Sequence, residues 1–242
     1  MDNKDHVLNK ILTTEVQTDP WRHMVIDDLL PELLYQGIKN EVKEHEKTMS
    51  ETEAKRGYAV TINRSVNVWP DQETNPNLYE YYKILTDQDI EFAIKKQVNI
   101  NDYHDNKPSK DMWSSYDIQE RGFTYEVHAD REEKIHTLVH YLADPGDDDT
   151  LGTTLYSPDI ESNKQRRTVK LNTQKDYLKR AKYLPNSAIL FSPCEKKGLI
   201  TNHAMFHTSQ QTKFRKTLQT FWLKEERDWT NLQWSAINLN SK

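Results

Sequence analysis

Apolar residues recur at helical spacing in two stretches of the first half of the chain. In the first, after Asp28 and Pro31, apolar residues fall three to four positions apart, at Leu33, Leu34, Ile38 and Val42. This spacing predicts a helix from about residue 29 to about residue 47 that packs by one face, with the proline near its start. Residues 78–98 repeat the pattern and predict one or two helices that break near Asp87.

The second half has a different pattern, with short apolar runs separated by turns. Across the chain, the predicted strands are residues 21–26, 58–62, 113–118, 123–127, 135–142, 153–156, 168–171, 188–191, 205–207 and 215–223. Residues 119–122, Gln-Glu-Arg-Gly, indicate a hairpin between two of them. Many short antiparallel strands joined by turns are typical of a jelly roll. We therefore predict an α+β, mainly β fold: a double-stranded β-helix (jelly roll) buttressed by N-terminal helices.

A chain of 242 residues is long enough for one large domain. We expect a single domain with four parts. These are an N-terminal arm (1–19), a helical support with edge strands (20–110), a jelly-roll core (111–224) and a polar C-terminal tail (225–242).

Composition narrows the class of protein. With 33 Lys and Arg against 38 Asp and Glu, the formal net charge is −5, which argues against a nucleic-acid partner. Cys194 is the single cysteine, so no internal disulfide can form, which favours a reducing compartment. Residues 1–19 lack the apolar core of a signal peptide, and no apolar run reaches membrane-spanning length. We expect a soluble, cytoplasmic protein with no membrane partner.

The strand predicted at residues 123–127 leads into His128-Ala-Asp130. Side chains two apart on a strand share a face, so His128 and Asp130 should point the same way. An imidazole and a carboxylate there could hold one metal ion. A second histidine would complete a two-His, one-carboxylate set with open positions, which suits non-haem Fe(II) oxygen chemistry.

The second histidine must come from a distant strand. His203 and His207, in Asn-His-Ala-Met-Phe-His, are both candidates, since four residues apart they could both face inward. Arg215 follows on the next predicted strand. Its guanidinium could bind a carboxylate through two parallel hydrogen bonds.

These motifs, taken together, resemble the Fe(II)- and 2-oxoglutarate-dependent oxygenases, and within them the prolyl-hydroxylase-like branch. The resemblance covers about residues 21–223 and rests on several short pieces in the family's order. They are residues 125–130 (Tyr-Glu-Val-His-Ala-Asp), 138–142 (Leu-Val-His-Tyr-Leu), 152–156 (Gly-Thr-Thr-Leu-Tyr), 184–191 (Leu-Pro-Asn-Ser-Ala-Ile-Leu-Phe), and Phe206-His207 with Arg215.

The resemblance implies a role for five residues. His128, Asp130 and His207 would bind Fe(II), and the spacing to Arg215 and the Phe-His-Thr setting favour His207 over His203 as the distal ligand. Arg215 would pair with the far carboxylate of 2-oxoglutarate, and Tyr141 would help to hold that carboxylate. Ascorbate is a further candidate cofactor.

The activity implied is a dioxygenase that uses O2 and 2-oxoglutarate to hydroxylate an unactivated C–H bond, with release of succinate and CO2. The substrate would be a peptidyl proline or a small metabolite, and residues 63–69 and 164–182 are candidates for its lid. Two alternatives remain from the residues alone. One is a metal-dependent hydrolase with the same ligands, and the other is a non-catalytic jelly-roll module that binds a metal or ligand.

Overall fold

The computed structural model describes residues 2–52, 63–67, 72–99, 108–131, 133–159, 177–196 and 199–225. The strands predicted at 58–62 and 168–171, the basic stretch 164–176 and most of the C-terminal tail lie outside the described residues.

In the described residues, four α-helices occur: α1 (Asn3–Thr13), α2 (Glu32–Thr52), α3 (Pro76–Leu85) and α4 (Gln88–Val98). The predicted break near Asp87 is confirmed, because the Asp87 side chain caps α4 by accepting a hydrogen bond from the Asp89 amide. The segment predicted as an N-terminal arm contains the first helix. Val7 and Ile11 lie one helical turn apart and are both buried, so this segment forms α1, which packs against α4.

The strands are β1 (His23–Ile26), β2 (Asn63–Asn67), β3 (Asp111–Glu120), β4 (Thr124–His128), β5 (Lys134–Tyr141), β6 (Thr154–Leu155), β7 (Lys179–Arg180), β8 (Ala188–Phe191), β9 (His203–Phe206) and β10 (Phe214–Leu223). They form two antiparallel sheets, a six-stranded sheet in the order β1-β8-β5-β10-β3-β2 and a four-stranded sheet in the order β4-β9-β6-β7. The predicted hairpin is wrong. A turn at Arg121 and Gly122 joins β3 to β4, but β3 pairs with β10 and β2 in the six-stranded sheet, whereas β4 pairs with β9 in the four-stranded sheet.

The six-stranded sheet has two different faces, because neighbouring residues of a strand point to opposite sides. One face packs against the helices through residues such as Leu138, Leu218 and Trp222. The other faces the four-stranded sheet, and here Tyr141 and Phe191 join Leu151 and Leu155 in a second apolar cluster. On the side of the six-stranded sheet, the helices therefore shield the space between the two sheets from water.

None of the helices in the described part of the chain combines the length and apolarity needed to cross a membrane.

Candidate active site

Two histidines and one aspartate converge between the two sheets. His128, Asp130 and His203 each offer a ligand atom, and these atoms all lie within 4.8 Å of one another. The distances from His128 Nε2 and His203 Nε2 to the nearest Asp130 carboxylate oxygen are 4.0 and 3.9 Å. All three side chains are largely buried, with exposed fractions of 12, 8 and 10% respectively. Such spacing leaves room for one ion bound by all three.

The pairing of β4 with β9 builds this cluster. His128 lies directly opposite His203, and Tyr125 lies opposite Met205, so three steps on β4 match two on β9. The extra residue is a β-bulge, which puts Tyr125 and His128 on the same side of the sheet. Their rings touch, with centroids 4.4 Å apart. Asp130 comes two residues after His128, just beyond the end of the strand.

A hydrogen bond holds His203 in the tautomer that can bind a metal ion through Nε2. Its Nδ1 lies 2.9 Å from the carbonyl oxygen of Thr201. A carbonyl can only accept, so Nδ1 carries the hydrogen and Nε2 keeps its lone pair directed at the cluster. Burial lowers the pKa of His203, although the charge of Asp130 opposes this shift, so the ring favours its neutral form.

Both carboxylate oxygens of Asp130 have partners within the protein. Lys134 Nζ lies 2.6 Å from Oδ1, and the Thr137 hydroxyl donates to Oδ2 at 2.7 Å. Burial alone would raise the pKa of Asp130, but the charge of Lys134 and its hydrogen bond hold it well below its usual range. The carboxylate therefore stays ionised and fixed in orientation.

The prediction that His207 completes the set needs correction, because the structure brings His203 to His128 and Asp130 instead. His207 lies four residues further along the chain, about 13 Å at the rise of a strand. It pairs with Phe123 at the opposite end of β4. The spacing to Arg215 misled the sequence argument, since it depends on the length of the loop at residues 207–213 and not on strand register.

Arg215 lies on β10 on the face turned towards the four-stranded sheet and is 2% exposed. Its Nε donates to the Leu151 carbonyl at 2.6 Å, and its Nη1 donates to the Gln119 side-chain oxygen. The rings of Tyr141 and Tyr183 flank the guanidinium at 5.4 and 5.8 Å. Burial lowers the pKa of Arg215. Since both hydrogen-bond acceptors are neutral, this buried cation is suited to an anionic ligand.

Tyr141 is buried beside Arg215, as expected, but its hydroxyl is already engaged by Thr153. It donates to Thr153 Oγ1 at 2.9 Å and accepts from the Thr153 amide at 3.0 Å. Burial raises the pKa of Tyr141, so it remains a neutral donor.

Thr217 lies beside Arg215 and Tyr141 and was not among the candidate residues predicted from the sequence. It follows Arg215 by two positions on β10 and pairs with Tyr141, so it shares the inward face with both. Its hydroxyl oxygen is buried and has no hydrogen-bond partner in the described part of the structure. The signal was present in the sequence, because a hydroxyl two residues from a strand arginine must point the same way.

No protein-family model matches the chain, and no curated protein sequence matches it. Solved structures do match. A prolyl-4-hydroxylase from Pseudomonas putida is 11% identical, with a TM-score of 0.56 over 92% of this chain and 100% of that one. A prolyl hydroxylase from Trichoplax adhaerens, in complex with a hypoxia inducible factor oxygen degradation domain peptide fragment, is 11% identical, with a TM-score of 0.57 over 91 and 89%.

A third similar structure is HygX from Streptomyces hygroscopicus with nickel and 2-oxoglutarate bound. It is 10% identical, with a TM-score of 0.55 over 86% of this chain and 85% of that one. At these identities the likeness concerns the fold. The chain has the fold of the prolyl-hydroxylase-like 2-oxoglutarate oxygenases.

Proposed function

We propose that the protein is an Fe(II)- and 2-oxoglutarate-dependent dioxygenase that hydroxylates an unactivated C–H bond, and that its two sheets form a double-stranded β-helix. The observation that carries the proposal is the pairing of two sites between the same sheets. One is the cluster of His128, Asp130 and His203, and the other is the buried cation of Arg215.

The donor set fits Fe(II). Two imidazole nitrogens and one carboxylate oxygen occupy one side of an ion and leave the other side open to further ligands, as non-haem Fe(II) oxygenases require. A structural zinc site would be closed by four protein ligands. In the described residues, the cluster contains three potential ligands.

The Arg215 pocket fits the far carboxylate of 2-oxoglutarate. A buried guanidinium with neutral acceptors and a buried hydroxyl without a partner, on Thr217, both gain from an anion. A hydrolase with the same three ligands would have no use for this second site, which is why the oxygenase is preferred to the hydrolase.

When bound, the metal and the 2-oxo acid supply O2 activation, with oxidative decarboxylation to succinate and CO2. The residues of the chain prepare for this chemistry. His203, its ring oriented by Thr201, would present a lone pair to the ion, and Asp130 would present an oxygen oriented by Thr137. Arg215 would fix the far end of the 2-oxo acid, which sets the direction of its near end.

For the substrate, we propose the two classes that the similar structures suggest. The Trichoplax enzyme was solved with a peptide, and HygX with 2-oxoglutarate and also with hygromycin B. A peptidyl proline and a small metabolite are therefore the first classes to test.

The proposal is tested by calorimetry of the Mn(II)-loaded protein with 2-oxoglutarate, followed by succinate release with Fe(II), O2 and ascorbate. We expect saturable binding of 2-oxoglutarate that is lost in Arg215→Met, and metal binding that is lost in His203→Ala. Succinate release should require both Fe(II) and 2-oxoglutarate. A protein that binds Mn(II) but not 2-oxoglutarate would be a hydrolase or a binding module, and the proposal would be abandoned.

A further inference from the structure

We infer that His207 binds the far carboxylate of 2-oxoglutarate, donating a hydrogen bond to it from the side of the pocket opposite Arg215. This assignment rests on the proposed function and deepens it. In this assignment His207 binds the 2-oxo acid, whereas its spacing in the sequence had suggested that it binds the metal.

The backbone of β9 continues to His207 and turns its side chain inward. The His207 amide donates to the Phe123 carbonyl at 2.9 Å, and its own carbonyl accepts from the Gly122 amide at 2.8 Å. Ala204 and Phe206 pack in a small apolar cluster on the outer face of the four-stranded sheet. Side chains alternate along a strand, so His207 shares the inner face with His203.

His207 and Arg215 lie at the same end of the sandwich. Arg215 pairs with Gln119, directly before the turn that joins β3 to β4. His207 pairs with Phe123, directly after that turn. The two inward side chains therefore approach each other from opposite sheets, at the far end of β4 from the metal cluster. The cation of Arg215 lowers the pKa of His207 further than burial alone does, in agreement with this proximity.

The ring of His207 differs from those of the other buried histidines. His23 and His203 bond to backbone carbonyls at 2.7 and 2.9 Å, while His136 and His140 bond to a serine and an asparagine side chain. The side chain of His207 is 0% exposed, and neither of its ring nitrogens has a hydrogen-bond partner in the described part of the structure.

An unpaired N–H costs free energy in a buried site, and a neutral imidazole always carries one. Within the described residues, neither His207 nor Arg215 forms an ion pair with a carboxylate. An anion held between them would accept from both. The unpartnered Thr217 hydroxyl, two residues from Arg215, would complete the set of donors.

The test compares two ligands that differ only at the far end. 2-Oxoglutarate carries the second carboxylate, and 2-oxovalerate has a methyl group in its place. Each is titrated calorimetrically into Mn(II)-loaded wild type, His207→Phe and His207→Gln. The phenylalanine keeps a planar ring without donors, and the glutamine restores an N–H donor.

We expect His207→Phe to weaken 2-oxoglutarate binding about tenfold, equivalent to about 1.4 kcal/mol. Binding of 2-oxovalerate should be unchanged, His207→Gln should recover part of the loss, and Mn(II) affinity should match wild type in both variants.

Three outcomes would overturn the assignment. Equal weakening of both ligands would show a structural role only, and unchanged 2-oxoglutarate binding would show no contact. Loss of Mn(II) binding would make His207 a metal ligand after all. Should the phenylalanine variant not fold, His207→Leu, which also lacks a donor, is titrated with the same two ligands and decides the matter. If wild type itself does not bind 2-oxoglutarate, the failure belongs to the proposed function and is recognisable as such.

Discussion

The hydroxyl of Thr137 donates a 2.7 Å hydrogen bond to Oδ2 of Asp130, which joins the central strand β5 to the loop that carries the carboxylate. Asp130 has already left β4, so no backbone ladder fixes its side chain. Thr137 and Lys134 provide that restraint instead. The geometry of the proposed metal site thus depends on a strand that supplies no ligand.

Removing this restraint should weaken metal binding without unfolding the protein. We expect Thr137→Val, which keeps the shape but loses the donor, to lower Mn(II) affinity about tenfold or more, in the range seen for groups that orient metal ligands. Isothermal titration measures the effect. Ser114→Ala is the control, because it removes a buried hydroxyl that bonds to Thr220 on the helix side of the same sheet. Equal affinity in the two variants would contradict the role of Thr137.

Lys134 should matter for stability in the metal-free protein. Its ammonium lies 2.6 Å from Asp130 and 3.6 Å from the centre of the Phe221 ring, with only 14% of the side chain exposed. Lys134→Met leaves a buried carboxylate without its counter-charge, so we expect the free energy of unfolding to fall by about 3 kcal/mol.

Urea denaturation in the presence of a chelator measures this change. Lys213→Met is the matched control, because Lys213 also lies over a ring, that of Phe214 at 4.7 Å, without such a carboxylate. A loss of the same size in both variants would assign the effect to the ring contact and not to the ion pair.

His140 should make the fold sensitive to acid. It is fully buried on the helix side of β5, where its ring stacks on Tyr81, and burial lowers its pKa from 6.5 to about 4. The unfolded chain binds a proton below pH 6.5, whereas the folded chain does so only near pH 4. Stability is therefore complete above pH 6.5 and is lost as the pH falls through this window, by about 3 kcal/mol at pH 4.

The measurement is urea unfolding at pH 7 and pH 4. In His140→Gln the difference in unfolding free energy between the two pH values should shrink by about 3 kcal/mol. The control His6→Gln removes a histidine at the surface, whose ring bonds to the Asp28 carbonyl. An unchanged pH dependence in His140→Gln would show that other groups drive acid unfolding.

Gly152 allows the chain to pass close to the segment before Tyr183, and a side chain there should be poorly tolerated. A Cβ on Gly152 would lie 1.6 Å from the Ala181 carbonyl oxygen, which is backbone and has little freedom to move. The displacement would also move the neighbouring Leu151 carbonyl, which accepts from Arg215. We expect Gly152→Ala to lower the free energy of unfolding by about 3 kcal/mol and to weaken 2-oxoglutarate binding.

Gly146→Ala serves as the comparison. Gly146 has a positive φ of 91° but no atom within 4 Å of an added Cβ, so that variant has backbone strain without a clash. Its cost should be about 1 kcal/mol, with 2-oxoglutarate binding intact. Equal effects in the two variants would contradict the importance of the close approach at Gly152.

The sequence predicted the parts of the fold that depend on local pattern. Ala188–Phe191 is the predicted strand to the residue, and the helix break at Asp87 follows from its capping side chain. The sequence also predicted that the side chains of His128 and Asp130 lie close together, because residues two apart on a strand share a face. The choice between His203 and His207 could not be made in this way. It depends on which residue of β9 lies opposite His128, and that register is set by a contact between distant segments.

The same limit explains why Lys134 and Thr137 were not predicted as partners of the metal cluster. Their strand was recognised, but their side chains reach Asp130 only because the chain turns back after residue 131 to form β5. The bounds of α1 were not predicted for a different reason. The polar composition of residues 1–19 outweighed the two buried apolar residues that determine its packing.

The bulge in β4 ties the aromatic ring of Tyr125 to the imidazole of His128. Side chains two apart on a strand share a face, so a regular strand with one residue fewer between Tyr125 and His128 would direct the imidazole to the same side. The extra residue therefore does not set which face His128 occupies, and its pairing with His203 does. Val127, between the two rings, is fully buried against Tyr156, so this stretch should tolerate loss of the bulge better than a polar residue at Val127.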